Sequence, residues 1–95
     1  MNKQIIVKLL ERGVKSSCRG FPVVVRCIEI AMSLDYVLVT KNVYPVVARE
    51  MNTSAQVVEA RFRRTLDKSG IEMSNLQFIM DFITAFNIED SESPA

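Results

Sequence analysis

The chain has 95 residues, of which 48% are hydrophobic and 24% charged, with three glycines, three prolines and a formal net charge of +1. That length suits one small domain with a single core, and the composition excludes disordered, collagen-like and low-complexity chains. There is no histidine, which excludes Ser/His/Asp and Cys/His triads, His-ligated metal sites and imidazole general-base catalysis.

The two cysteines, Cys18 and Cys27, lack the tight spacing of a zinc knuckle or redox pair, and Cys27 reads as a core thiol. The apolar run at 5–10 is interrupted by Lys8 and is too short for a signal core or a membrane span. The expectation is a reduced, cytoplasmic protein with no membrane partner. The small net charge hides a polarity along the chain. Residues 1–68 hold all twelve Lys and Arg against six acids, whereas residues 69–95 hold five acids and no base. A nucleic-acid partner would have to be met by a folded basic face, because overall basicity is missing.

The periodic signals are helical. Ile6, Leu9 and Leu10 recur at helical spacing over 3–12, and Gly13 stops that helix. Residues 13–20, GVKSSCRG, form a loop bounded by glycines and carrying two positive charges. Pro22 suits the first turn of a second helix. That helix is expected to run to about residue 37, largely buried, with Val24, Cys27, Ile28, Ala31, Met32 and Leu34 inward and Arg26, Glu29 and Ser33 opposite. The β-branched YVLV at 36–39 has no partner strand elsewhere and reads as helix end and connection. Pro45 starts a third helix through Val46, Val47, Ala48 and Met51, which Asn52 ends by tolerating the left-handed conformation.

Thr53 or Ser54 caps a fourth helix over 55–68. Val58, Phe62 and Leu66 turn inward, with Arg61 toward the edge of the packed face and Gln56, Ala60, Arg63, Arg64 and Asp67 outward. Ser69 and Gly70 end it. Ser74 or Asn75 caps a fifth helix with an apolar stripe of Phe78, Ile79, Phe82, Ile83 and Phe86. The expected architecture is an all-α domain of five to six helices over 1–88, followed by a frayed acidic tail at 89–95.

Residues 44–66, YPVVAREMNTSAQVVEARFRRTL, have the layout of a helix-turn-helix: a short helix, a tight turn and a longer helix with a polar outer face. Ala48 is small where the two helices cross, and Val58 and Phe62 pin the second onto the first. In a DNA-binding motif of this kind the second helix enters the major groove. There Arg63 and Arg64 would meet phosphates or guanine, Gln56 adenine and Glu59 the cytosine amino group. A plain helical hairpin of a bundle has the same pattern.

Four segments, GVKSSCRGF (13–21), VYPVVAREMNTSAQVVEARFRR (43–64), the capping NTSA (52–55) within it, and SNLQFI (74–79), resemble the C-terminal effector domain of the master response regulator of endospore formation. The resemblance covers about residues 5–88. It implies an all-helical domain of roughly six helices that binds a short promoter element, often as tandem head-to-tail copies. It also implies that the recognition helix is 54–68, with the base-reading acid at Glu59 and the basic pair at Arg63 and Arg64. Two positions depart from the family: Val57 and Ala60 stand where it places arginines. The connection at 69–73 is shorter than the family's, and the phosphoacceptor receiver domain of such regulators is absent, so the chain reads as a stand-alone or excised effector unit.

The expected function is double-stranded DNA binding and transcription regulation linked to sporulation, with no catalysis, cofactor, metal or small-molecule substrate. The expected DNA-facing residues are Ser54, Gln56, Val57, Glu59, Ala60, Arg63, Arg64 and Lys68. The alternative is a protein-interaction module that keeps the fold without reading DNA, favoured by Val57 and Ala60. Homodimerisation or association with a full-length regulator is the protein partnership expected.

Overall fold

A computed structural model of the chain describes residues 2–34 and 39–92. They form helices α1 (Lys3–Glu11), α2 (Phe21–Met32), α3 (Tyr44–Glu50), α4 (Ala55–Lys68) and α5 (Asn75–Glu92), with a π-helical turn over Val39–Val43 leading into α3. No strand occurs among the described residues. Of the YVLV run, residues 36–38 lie outside the described residues, and Val39 opens the π-helical turn.

The helix ends follow from local chemistry. The Asn2 side chain accepts hydrogen bonds from the Gln4 and Ile5 amides at 2.9 and 3.2 Å, satisfying donors that the first turn of α1 leaves free. Pro22 occupies the first turn of α2 and Pro45 that of α3, where a missing amide hydrogen costs nothing. Asn52 has φ of 55° in the turn after α3, and the Ser54 hydroxyl caps α4 by accepting from the Val57 amide at 3.2 Å. Ser74 caps α5 in the same way through Gln77, at 3.1 Å.

Two elements differ from the sequence reading. In α1 the buried residues are Ile5 and Leu9, with Ile6 half-buried and Leu10 exposed, so the helix is rotated from the Ile6–Leu9–Leu10 stripe. The chain leaving α1 decides this: the Val14 amide bonds back to the Leu9 carbonyl at 3.1 Å, and Val14 is buried. Helix α2 stops at Met32, short of residue 37. Its cap, Ser33, turns its hydroxyl back onto the Ile30 carbonyl at 2.6 Å, a local bond that competes with continuing the helix. At the other end of the chain, the backbone of α5 continues through Glu92, past residue 88.

Helix α2 is the centre of the core. Val23, Val24, Val25, Cys27, Ile28, Ile30 and Ala31 are all buried, so most of its circumference is covered. Burial pushes the Cys27 thiol up to about 12, which keeps it neutral and unreactive. Helix α4 turns Val58, Phe62, Thr65 and Leu66 inward. The Phe62 ring meets Phe78 of α5 edge-to-face at 6.2 Å, and the aromatic series continues through Phe82 to Phe86. A bidentate pair, Arg26 with Glu50 at 2.6 and 2.8 Å, joins α2 to α3 and holds the Glu50 carboxyl below its usual range. Arg12 at the end of α1 reaches Asp81 of α5 at 2.6 Å and covers the Phe82 ring at 5.4 Å.

Phe62 is fully buried at the crossing of α4 and α5. Phe62→Ala is therefore expected to cost roughly 3 to 5 kcal/mol, a large share of the stability of a small domain. The check is a lowered denaturant midpoint; a midpoint equal to the parent's would mean that α4 packs by another face.

Candidate nucleic-acid interface

Helices α3 and α4, joined by the turn at 51–54, have the layout of a helix-turn-helix. The buried Ala48 allows the close crossing, and the Thr53 amide bonds back to the Ala48 carbonyl at 2.9 Å, tightening the turn. With Val58, Phe62 and Leu66 directed into the core, the outer face of α4 presents Gln56, Glu59, Ala60, Arg61, Arg64, Asp67 and Lys68 to solvent. Val57 is half-buried, and Ser54 sits exposed at the cap.

The outer face has two flanks. On one, Arg61, Arg64 and Lys68 follow Val57 at spacings of four, three and four, which aligns them along the helix. This stripe faces the loop at 13–20 across an open cleft of about 590 Å³ lined by Lys15, Ser17, Cys18, Arg19, Gly20, Arg61, Arg64, Thr65 and Lys68. Five of these residues are cationic and none is acidic. Among the described residues, none of the five has an ion-pair partner, whereas Lys8, Arg12, Arg26 and Arg63 each do. An unneutralised cluster of this kind concentrates positive potential in a concave surface.

Gly20 brings the loop to α4. A Cβ there would lie 2.2 Å from the Thr65 hydroxyl oxygen and 2.6 Å from the Arg61 carbonyl oxygen, closer than any side chain tolerates. The Thr65 hydroxyl is itself fixed, donating to the Arg61 carbonyl at 2.8 Å. Farther along the cleft the Lys15 amide donates to the Ser69 hydroxyl at 3.0 Å, which donates in turn to the Thr65 carbonyl at 2.7 Å. The loop is held at both ends against the helix that carries the stripe.

The second flank places Arg63 apart from the cationic stripe. Its guanidinium is turned onto the protein: Nε and Nη2 donate to Asp67 at 3.1 and 2.9 Å, Nη2 to the Ile71 carbonyl at 3.4 Å, and Nη1 to the Met73 carbonyl and Asn75 Oδ1. Every nitrogen is engaged. The cause is the short connection between α4 and α5, whose carbonyls need donors that a planar guanidinium supplies from one position. Asn75 completes the arrangement by donating to the Tyr44 hydroxyl at 3.0 Å and to the Glu59 carbonyl at 3.1 Å, tying α3, α4 and α5 together. Burial pushes the Tyr44 phenol up, so it stays neutral in this knot.

Of the residues expected at the interface, Arg64 and Lys68 meet in the cleft, Gln56, Glu59 and Ala60 lie exposed on α4 outside it, and Arg63 joins the α4–α5 connection. Lys15, Arg19 and Arg61 were not among the expected DNA-facing residues. Two signals for them existed: a basic loop between two glycines, and an arginine at the edge of the packed face. Among the described residues no group of three or more His, Cys, Asp or Glu is placed to hold a metal ion, and no helix is long and apolar enough to cross a membrane.

A capped second helix with a polar outer face and an adjoining cationic cleft have the layout of a helix-turn-helix domain. Residues 5–93 match the family of the sporulation initiation factor Spo0A C-terminal domain, and the chain belongs to that family of DNA-binding sporulation transcription-factor domains. No curated protein and no solved structure matches the chain.

Arg63 and Arg64 are neighbours in different surroundings, Arg63 bonded into the α4–α5 connection and Arg64 lining the open cleft, which gives a direct contrast. Arg63→Ala should lower folding stability by about 1 to 3 kcal/mol, as expected for lost charge-assisted bonds that leave carbonyls unpaired. Arg64→Ala should stay within about 0.5 kcal/mol. Chemical denaturation of both variants checks the assignment, and equal midpoints would contradict it.

Proposed function

We propose that the chain regulates transcription by binding double-stranded DNA through α4, with its N-terminal half in the major groove. The observation that carries this reading is the exposed face of α4 beside a cluster of unpaired cations. Gln56 and Glu59 are exposed polar groups near the start of the helix, the part that meets base edges in motifs of this type. Arg64 and Lys68 lie farther along and suit phosphate oxygens, which position a protein on the duplex without reading sequence.

Val57 and Ala60 shape the specificity. Each good bidentate contact to a base contributes about 1 to 3 kcal/mol of discrimination, and neither residue can make one. Sequence reading would then rest on Gln56 and Glu59, with a preference shifted or relaxed from that expected of a helix with arginines at both sites. Val57 heads the Arg61–Arg64–Lys68 stripe, so an arginine there would extend the row of cations.

A second reading, a protein-interaction module, is supported by the exposure of Leu76 and Met80 one turn apart on α5, at 50% and 43%. A salt-series titration of the purified protein against random and enriched duplexes separates the two. DNA binding predicts measurable association at low salt and a linear fall of log affinity with log salt. Introducing V57R and A60R together should steepen that slope by up to about two units, at about 0.9 per phosphate neutralised, or raise discrimination between duplexes if the new arginines meet bases. No association of the parent with any duplex at low salt would overturn DNA binding and leave the interaction module.

A further inference from the structure

We propose that the loop at 13–20 is a second DNA-contacting element, a jaw that works with α4 to grip the sugar-phosphate backbone of one strand in the cleft between them. This rests on the reading of the protein as a duplex DNA binder and adds Lys15, Ser17 and Arg19 to the surface that touches the ligand.

The lining of the cleft is divided between two separate parts of the chain. Lys15 and Arg19 come from the loop, and Arg61, Arg64 and Lys68 come from α4. Lys15, Ser17 and Arg19 are exposed, and no ion pair takes up either loop cation among the described residues. The ligand chemistry that fits two facing cationic walls is a chain of anions at close spacing. A lone anion would leave most of the five charges uncompensated. Duplex DNA supplies phosphates along each strand at about 3.4 Å of axial rise, and a helix lying in the major groove has a phosphate strand along its flank. The cationic stripe is on the flank of α4 that faces the loop, so that strand would pass between Lys15 and Arg19 on one side and Arg61, Arg64 and Lys68 on the other.

The loop is also held in place before any ligand arrives. The close approach of Gly20 to Thr65 and the Lys15–Ser69 bond fix it at two points, on α4 and on the residue that caps its end. Phosphate contacts made from a fixed loop lose less conformational entropy than contacts from a free one. Because the jaw meets only backbone, it contributes affinity and register without sequence preference.

The test is a salt-series titration of the full chain and of the Lys15→Ala/Arg19→Ala double variant against an enriched duplex and a scrambled one. Both side chains are exposed, so circular dichroism and the denaturant midpoint should match the parent. The expected result is a slope of log affinity against log salt shallower by about two units, with the same fold loss on both duplexes and the specificity ratio unchanged. A Lys15→Glu/Arg19→Glu variant should weaken both further. A parent that binds while the alanine variant keeps the parental slope and affinity overturns the jaw alone, and so does a loss confined to the enriched duplex. A parent that binds neither duplex at low salt overturns the DNA-binding reading and the jaw with it.

Discussion

The missing side chain of Gly20 is the constraint on which the interface depends. Its α-carbon lies so close to α4 that even a methyl group would collide with the Thr65 hydroxyl and the Arg61 backbone. Gly20 has φ of −81° and ψ of 0°, values open to any residue, so the need for glycine here is steric. Because the loop closes onto α4 at this point, two cations from residues 13–20 face three from α4. Gly20 also precedes α2 and its carbonyl receives the Val24 amide at 3.0 Å, so the contact that sets the cleft also sets where the central core helix begins.

The opposite flank of α4 is fixed by a polar knot instead. Arg63 reaches the connection between α4 and α5 with every guanidinium nitrogen engaged, and Asn75 joins the same group to Tyr44 of α3. The six-residue connection, 69–74, has no room for a helix that would satisfy its own carbonyls, and Arg63 supplies the donors. Helix α4 is thus located on three sides: by Gly20 and Ser69, by Arg63 and Asn75, and from beneath by Val58, Phe62 and Leu66. The outer face is left open to solvent.

The central part of the fold was legible because its boundaries are punctuated. Pro45, Asn52, Ser54 and the Ser69-Gly70 pair each impose a local backbone or capping state, and the residues between them follow a strong helical period. The bounds of α4 and its inward Val58, Phe62 and Leu66 follow directly from that pattern. The rotation of α1 did not, since Ile6 and Leu10 are as apolar as Ile5 and Leu9, and only the docking of Val14 decides between them. The role of Arg63 was hidden for a related reason: a helical wheel gives the direction of a side chain but says nothing of the carbonyls that a neighbouring loop leaves open. The cleft was half legible. The basic loop and the basic helix were each visible, whereas their juxtaposition is a property of the packed core and of Gly20.

The central claim is that one continuous surface, made by the outer face of α4 and the adjoining loop, meets the duplex. The most direct measurement is an NMR titration of the isotopically labelled protein with a duplex that it binds, following backbone amides together with arginine Nε–H signals. The account predicts shifts over 15–20 and along 54–68 in the same titration, large changes at the Nε–H of Arg61 and Arg64, and little change at that of Arg63. Shifts concentrated around Leu76 and Met80 of α5, with the loop and α4 unmoved, would contradict it.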